Sequence, residues 1–170
     1  MASRDYEEFI ASFNARGVRY LIVGAHAVAL HARPRATRDL DILTDPTPAN
    51  ARRVLAALRD FFAGADLGYS VDDILDPGSI LQLGVAPVRI DLVAAIPGLT
   101  SFRAAWKNRV DGRFGSEPAH YLGLEDLVST KRATARPQDL ADLKILERAQ
   151  GAAGRTDARR GPRTRGGKGC

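Results

Sequence analysis

The segment from Tyr20 to Leu43, YLIVGAHAVALHARPRATRDLDIL, constrains the fold more than any other part of the chain. Val18 to Val23 is a short β-rich run that reads as a buried strand. Gly24 breaks it, and AHAVALHA behind the glycine reads as a short helix. Arg33-Pro34-Arg35 ends that helix in a loop. Leu40 and Ile42 then alternate with Asp39 and Asp41, the pattern of a strand with one apolar and one acidic face. Strand, glycine, helix and acidic strand thus return the chain to one sheet edge.

The acidic face carries chemistry. Side chains two apart on a strand point the same way, about 6.5–7 Å apart, so Asp39 and Asp41 share a face. Two carboxylates at that spacing repel and stay ionised most easily with a cation between them. Hard oxygen ligands suit Mg²⁺ or Mn²⁺. Asp91, in VRIDLV, repeats the pattern between Ile90 and Leu92. If its strand neighbours that of residues 38–43, three carboxylates converge. Such a site neutralises a triphosphate, aligns an attacking hydroxyl and stabilises leaving pyrophosphate. Gly24 lets backbone approach a phosphate, and the helix start behind it offers free N–H donors.

The remaining elements follow from periodicity and caps. Tyr6, Phe9, Ile10 and Phe13 make residues 4–15 an amphipathic helix, ended by Gly17. Thr47 caps a helix with Pro48 at its first position and Val54, Leu55, Leu58, Phe61 and Phe62 along it. Residues 63–78 read as a loop with one helical turn. Ile80–Leu83 and Val88–Val93 are strands joined through Gly84–Pro87 as a hairpin. A short helix runs from Ser101 through Trp106, one or two edge strands occupy 109–121, and two helices span 123–134 and 137–149, parted near Pro137. The order predicts an α/β (α+β) domain, a mixed β-sheet flanked by helices.

Composition bounds the class. At 170 residues, 45% hydrophobic and 26% charged, the chain fits one globular domain with a short appendage. No apolar run approaches the ~20 residues of a membrane span. The polar start, MASRDYEEF, does not read as a secretory signal. Cys170 is the sole cysteine and has no partner for an internal disulfide. These features set the expectation of a cytoplasmic protein without membrane contact. The formal charge of +5 is carried by the last twenty residues, where Arg155, Arg159, Arg160, Arg163, Arg165 and Lys168 face one acid, Asp157. Residues 1–150 are therefore read as a neutral folded domain, and 151–170 as a basic, Gly- and Arg-rich disordered tail, either passive or a salt-sensitive arm for RNA.

Other polar residues have plainer readings. His26 and His31 serve packing or loop hydrogen bonds. Arg35, Thr37 and Arg38 dress a loop, or an arginine among them touches phosphate. Lys131 is an exposed helix residue or a phosphate contact. Asp139 and Asp142 form a solvated helix face or pair with Lys131 and Arg136. Trp106 and the phenylalanines read as core.

The segment around VGAHAVALH, with Arg35-x-Thr37-x-Asp39-Leu40-Asp41 and the later Asp91, resembles the nucleotidyltransferase-fold (polymerase-beta-like) superfamily. It is most similar to the small bacterial branch related to AbiEii-type toxins and to a DUF6036 group. The C-terminal LEDLVSTKRATARPQDLADLKIL, with Leu124, Asp126, Leu127, Lys131, Arg136, Asp139 and Asp142, extends the resemblance over roughly Val18 to Leu146. The resemblance implies that Gly24 and Ala25 hold the β- and γ-phosphates. It implies that Asp39 and Asp41 bind Mg²⁺, that Asp91 helps activate the acceptor hydroxyl and that Lys131 contacts the triphosphate. Ala25 replaces the second Gly or Ser of that pattern, keeping the backbone N–H and losing a hydroxyl. Gln138 stands where a lysine is common.

The implied activity is metal-dependent transfer of NMP from an NTP, ATP included, to a hydroxyl of an RNA such as tRNA or of a protein. In related toxins a partner antitoxin restrains the enzyme. Two other readings use the same residues: a non-catalytic module binding nucleotide, RNA or a protein partner, and a carboxylate–metal phosphodiesterase or nuclease.

Overall fold

A computed structural model describes residues 2–158 apart from residue 86. Residues 159–170, with Cys170 and most of the basic tail's charge, lie outside the described residues, as does Ala86 of the expected 84–87 connection.

The helix α1 (Ala2–Ala15) buries the face set by Tyr6, Phe9, Ile10 and Phe13. The strand β1 (Tyr20–Val23) is buried at every position, and α2 (Gly24–His31) follows it without a linking residue. The strand β2 (Asp39–Thr44) buries Leu40 and Ile42 completely, while Asp39 and Asp41 on the other face stay partly open. The helix α3 (Pro48–Phe61) starts as its sequence indicates. The Thr47 hydroxyl accepts from the Asn50 N–H at 3.3 Å, with proline in the first turn. Asn50 is itself buried and fully used, accepting from the Arg19 N–H and donating to the Arg19 and Asp45 carbonyls.

The one helical turn expected in 63–78 is α4 (Val71–Leu75), opened by a reciprocal capping box between Ser70 and Asp73. The strands β3 (Ile80–Leu83) and β4 (Arg89–Val93) pair antiparallel. The helix α5 (Phe102–Lys107) is capped by Ser101. The expected edge strands are a hairpin, β5 (Val110–Phe114) and β6 (Glu117–Tyr121). Of these two, β5 alone is an edge strand, because β6 pairs in parallel with β1 through Ile22 and Tyr121.

Together they form one six-stranded mixed sheet in the order β3-β4-β2-β1-β6-β5. The helices α6 (Leu124–Thr134) and α7 (Pro137–Ala158) pack on each other and against α2, while α1, α3 and α4 form a second packed group. The helix α7 runs through Ala158, not to residue 149, so residues 151–158 are helical where a disordered tail was expected. Ala152 and Ala153 favour helix, and extending an existing helix gains one hydrogen bond per residue fixed. Residues 151–156 bury nothing against the core, which is why hydrophobic periodicity did not signal them. Among the described residues no helix is long and apolar enough to cross a membrane.

Candidate active site

Gly24 joins β1 to α2 at φ +63°, a conformation that suits glycine and disfavours side chains. Val23, at the helix N-cap, offers no side-chain hydrogen bond, so no cap consumes the first N–H groups of α2. The antiparallel register sets Val23 opposite Asp41. A Cβ at Gly24 would lie 2.2 Å from Asp41 Oδ2 and about 3 Å from its Cγ. The glycine thus leaves the space that the Asp41 carboxylate fills.

The next strand supplies the third acid. β2 and β4 run parallel, with Asp39 beside Arg89 and Asp41 beside Asp91. The neighbouring strand on which convergence depended is therefore present. The same register adds a cation absent from the sequence-derived site. Arg89 Nη2 lies 3.1 Å from Asp91 Oδ2 and 3.3 Å from Asp39 Oδ2. The clue was available in the sequence, since Arg89 precedes Asp91 by two positions and so shares its strand face.

The electrostatics follow from burial and crowding. Burial pushes the Asp41 carboxyl up to about 6, with Asp91 and Asp39 adding to the rise and Lys131 and Arg89 opposing it. Asp91 is 8% exposed, and its Oδ1 has no hydrogen-bond partner. Three carboxylates with one orphaned oxygen are a donor set suited to a hard divalent cation. As they stand, no group of three such side chains among the described residues is gathered as a metal cage. The guanidinium of Arg89 lies between Asp39 and Asp91 instead.

A second cluster closes the site from the C-terminal helices. Lys131 of α6 is buried, contrary to the exposed reading, and its Nζ lies 3.1 Å from Asp139 Oδ1 and 3.0 Å from Asp142 Oδ2. Asp142 is 0% exposed, also accepts from Gln138, and pairs with Arg35 Nη2 at 3.2 Å. Asp139 accepts from Arg136 as well. Burial pushes the Asp139 carboxyl up, but hydrogen bonds from Arg136, Lys131 and Thr134 outweigh it and hold the group well below the usual carboxylate range. Asp139 and Asp142 are therefore the ion-pair partners of Lys131 and Arg136, on a buried face and not a solvated one. Arg35 ties the α2–β2 loop to α7.

Both clusters open on one cleft of about 1040 Å³. Gly24, Ala25, Arg35, Thr37, Asp39, Asp41, Asp91 and Lys131 all line it. Arg38 does not; it is exposed, and its carbonyl accepts the Tyr6 hydroxyl. Thr37 uses its hydroxyl on the backbone of Asp39. Ile80, 60% exposed, also lines the cleft, with Gln82, Val93 and Ile96. Among the described residues four buried side-chain polar atoms lack a partner, and three of them belong to cleft residues: Arg35 Nε, Arg89 Nε and Asp91 Oδ1. Unsatisfied polar groups gathered at one cleft mark a place built for a ligand. The fourth, His26 Nε2, belongs to a ring packed against Tyr6 and Phe114, and His31 bonds the Leu122 carbonyl.

Two solved structures share the architecture. The antibiotic-resistance factor ANT(2'')-Ia superposes with a TM-score of 0.59 at 13% identity, covering 92% of each chain. A Thermotoga maritima protein described as a candidate nucleotidyltransferase gives 0.52 at 15% identity, over 91% of this chain and 92% of that one. At such identities the likeness establishes the nucleotidyltransferase fold alone. No curated protein sequence matches the chain. The family model described as nucleotidyltransferase of unknown function (DUF6036) matches residues 6–149, and the chain, with its Asp41–Asp91 register and glycine turn inside that span, belongs to this family.

Proposed function

We propose that the protein transfers NMP from an NTP to a hydroxyl acceptor, using Mg²⁺ or Mn²⁺ held by Asp39, Asp41 and Asp91. The observation that carries this reading is the parallel register of Asp41 with Asp91, facing the Gly24 turn at the start of α2. A bound divalent metal neutralises phosphate charge and polarises the reacting phosphoryl group. The chain's own groups do the rest. The free N–H groups at Gly24 and Ala25, aided by the helix dipole, receive the β- and γ-phosphates. Arg35, with its unpartnered Nε, meets the triphosphate from the α2–β2 loop. Lys131, held by two carboxylates, lends positive field to the cleft. Asp91 Oδ1 accepts the proton of the attacking hydroxyl.

The acceptor is an RNA such as tRNA, or a protein, and an antitoxin partner restrains the activity. The basic residues after Arg155 suit a polyanionic acceptor. The test is transfer from each labelled NTP, ATP first, to total RNA and total protein in the presence of Mg²⁺. Label enters one fraction with the native protein and is lost with Asp39→Ala plus Asp41→Ala. No transfer from any of the NTPs to either fraction overturns the reading. The toxin role adds growth arrest on induction, abolished by the same double substitution.

One observation favours a second reading, a non-catalytic nucleotide- or partner-binding module. Arg89 already compensates Asp39 and Asp91 without a metal. Calorimetry separates the two readings, since a module binds nucleotide equally with and without Mg²⁺ and after loss of all three aspartates.

A further inference from the structure

Four side chains on the adjoining interior strands β2 and β4 form a square. Asp39 faces Arg89 across the β2–β4 pair, and Asp41 faces Asp91 one step along. Three carboxylates and one guanidinium leave a formal charge of minus two. The guanidinium is not a bystander to a divalent ion there. Through a single nitrogen, Nη2, it hydrogen-bonds Asp91 Oδ2 and pairs with Asp39 Oδ2, so a metal shared by these two carboxylates would compete with it for them. Its Nε is buried without a partner, so the group is held by these two carboxylates and not by a scaffold behind it. The Arg89 side chain is 40% exposed, leaving an open path toward the cleft.

We infer that Arg89 is the resident counter-cation of this carboxylate site, and that a divalent metal takes Asp39 and Asp91 only by displacing the guanidinium. This rests on the metal-dependent reading above and deepens it. Three crowded carboxylates are costly to keep ionised, and Arg89 offsets that cost. The same contacts make free metal a weak ligand, because each ion must break a charge-assisted hydrogen bond to Asp91 and an ion pair with Asp39. A metal that enters with a triphosphate meets less resistance. The released guanidinium, planar and always charged, then has phosphate oxygens in the same cleft to bind. Arg89 thereby biases the protein toward the metal–nucleotide complex over free metal.

The test is a Mn²⁺ titration of the full chain by calorimetry, without nucleotide, on the native protein, Arg89→Met and Arg89→Lys. Loss of the cation tightens Mn²⁺ binding in Arg89→Met by about tenfold, equivalent to ~1.4 kcal/mol. Arg89→Lys keeps a positive charge and stays within about threefold of the native affinity. In EDTA the Met variant melts lower than the native protein, and Mn²⁺ removes the difference. A role confined to scaffolding moves affinity the other way, so equal or weaker Mn²⁺ binding by Arg89→Met overturns the inference while leaving the metal site standing. No Mn²⁺ binding by any of the three proteins overturns the metal-dependent reading and this one with it. Should Arg89→Met fail to fold, the native protein decides. Its Arg89 Nε–H resonance shifts on addition of MgCl₂ if the guanidinium is displaced, and an unmoved resonance under saturating Mg²⁺ refutes displacement.

Discussion

Replacing Gly24 with alanine sets two separable penalties against each other. The first is backbone strain: at φ +63° an alanine costs roughly 1–2 kcal/mol relative to glycine. The second is local to Asp41. The added Cβ would stand 2.2 Å from Oδ2, 3.0 Å from Cγ and 3.1 Å from Cβ of Asp41, where ordinary contact begins near 3.4 Å. Turning the carboxylate alone does not move Cγ, so Asp41 must leave its χ1 rotamer, at about 0.5–1.5 kcal/mol, while the contact with its Cβ remains. Gly24→Ala therefore destabilises the protein by about 1.5–3.5 kcal/mol in urea unfolding with EDTA present. In an Asp41→Ala background most of the second penalty disappears, and Gly24→Ala costs only about 1–2 kcal/mol. The coupling between the two substitutions is about 1 kcal/mol, measurable by a double-mutant cycle. Equal costs in both backgrounds refute the argument that Gly24 is small to admit the Asp41 carboxylate. Mn²⁺ binding falls with Gly24→Ala in the same preparations.

Three further outcomes are expected. Asp41→Asn stabilises the metal-free protein at pH 7.5 by up to about 3 kcal/mol, because the native carboxyl, raised to about 6, is ionised there against its surroundings. The folded state binds this proton more tightly than the unfolded chain does, so the cost is absent below about pH 4 and complete above about pH 6. Urea unfolding at the two extremes checks it, and an equal gain at both contradicts the electrostatic origin. Lys131→Ala leaves Asp139 and Asp142 buried with one cation fewer and costs about 3–5 kcal/mol in Tm-derived stability, part of which Asp142→Asn restores. Truncation after Gln150 removes residues that bury nothing where they are described, so thermal unfolding shifts by no more than about 0.5 kcal/mol; a larger loss places a structural contact in that segment.

What the sequence disclosed was whatever short-range pattern controls. Asp39 and Asp41 alternate with Leu40 and Ile42, and β2 follows. Thr47-Pro48 starts α3 because cap and first-turn chemistry are local. Asp91 entered as a conditional neighbour, and the parallel β2–β4 register supplied the condition. The unread features all depend on pairings across long stretches of chain. Arg89 shares a face with Asp91 by the same spacing rule, yet its contact with Asp39 exists only because β2 and β4 adjoin. Lys131 looks like a solvent residue until α7 brings Asp139 and Asp142 against it. Arg35 meets Asp142 across 107 positions, a distance no local pattern encodes. Helix α7 outran its expected end because helix continuation needs no apolar face.

The parallel β2–β4 pairing also dates the site within folding. Asp41 and Asp91 are register partners fifty residues apart, and parallel strands cannot be joined by a tight turn. Their union waits on closing a loop that contains α3, α4 and β3, an entropy cost that comes before any contact rewards it. Lys131 and its partners arrive later still along the chain. During synthesis a ribosome-bound chain that has not released β4 has no assembled carboxylate square, however complete its first two strands are. The carboxylate square is therefore a property of a chain made at least through β4, and fragments ending before β4 lack it by topology.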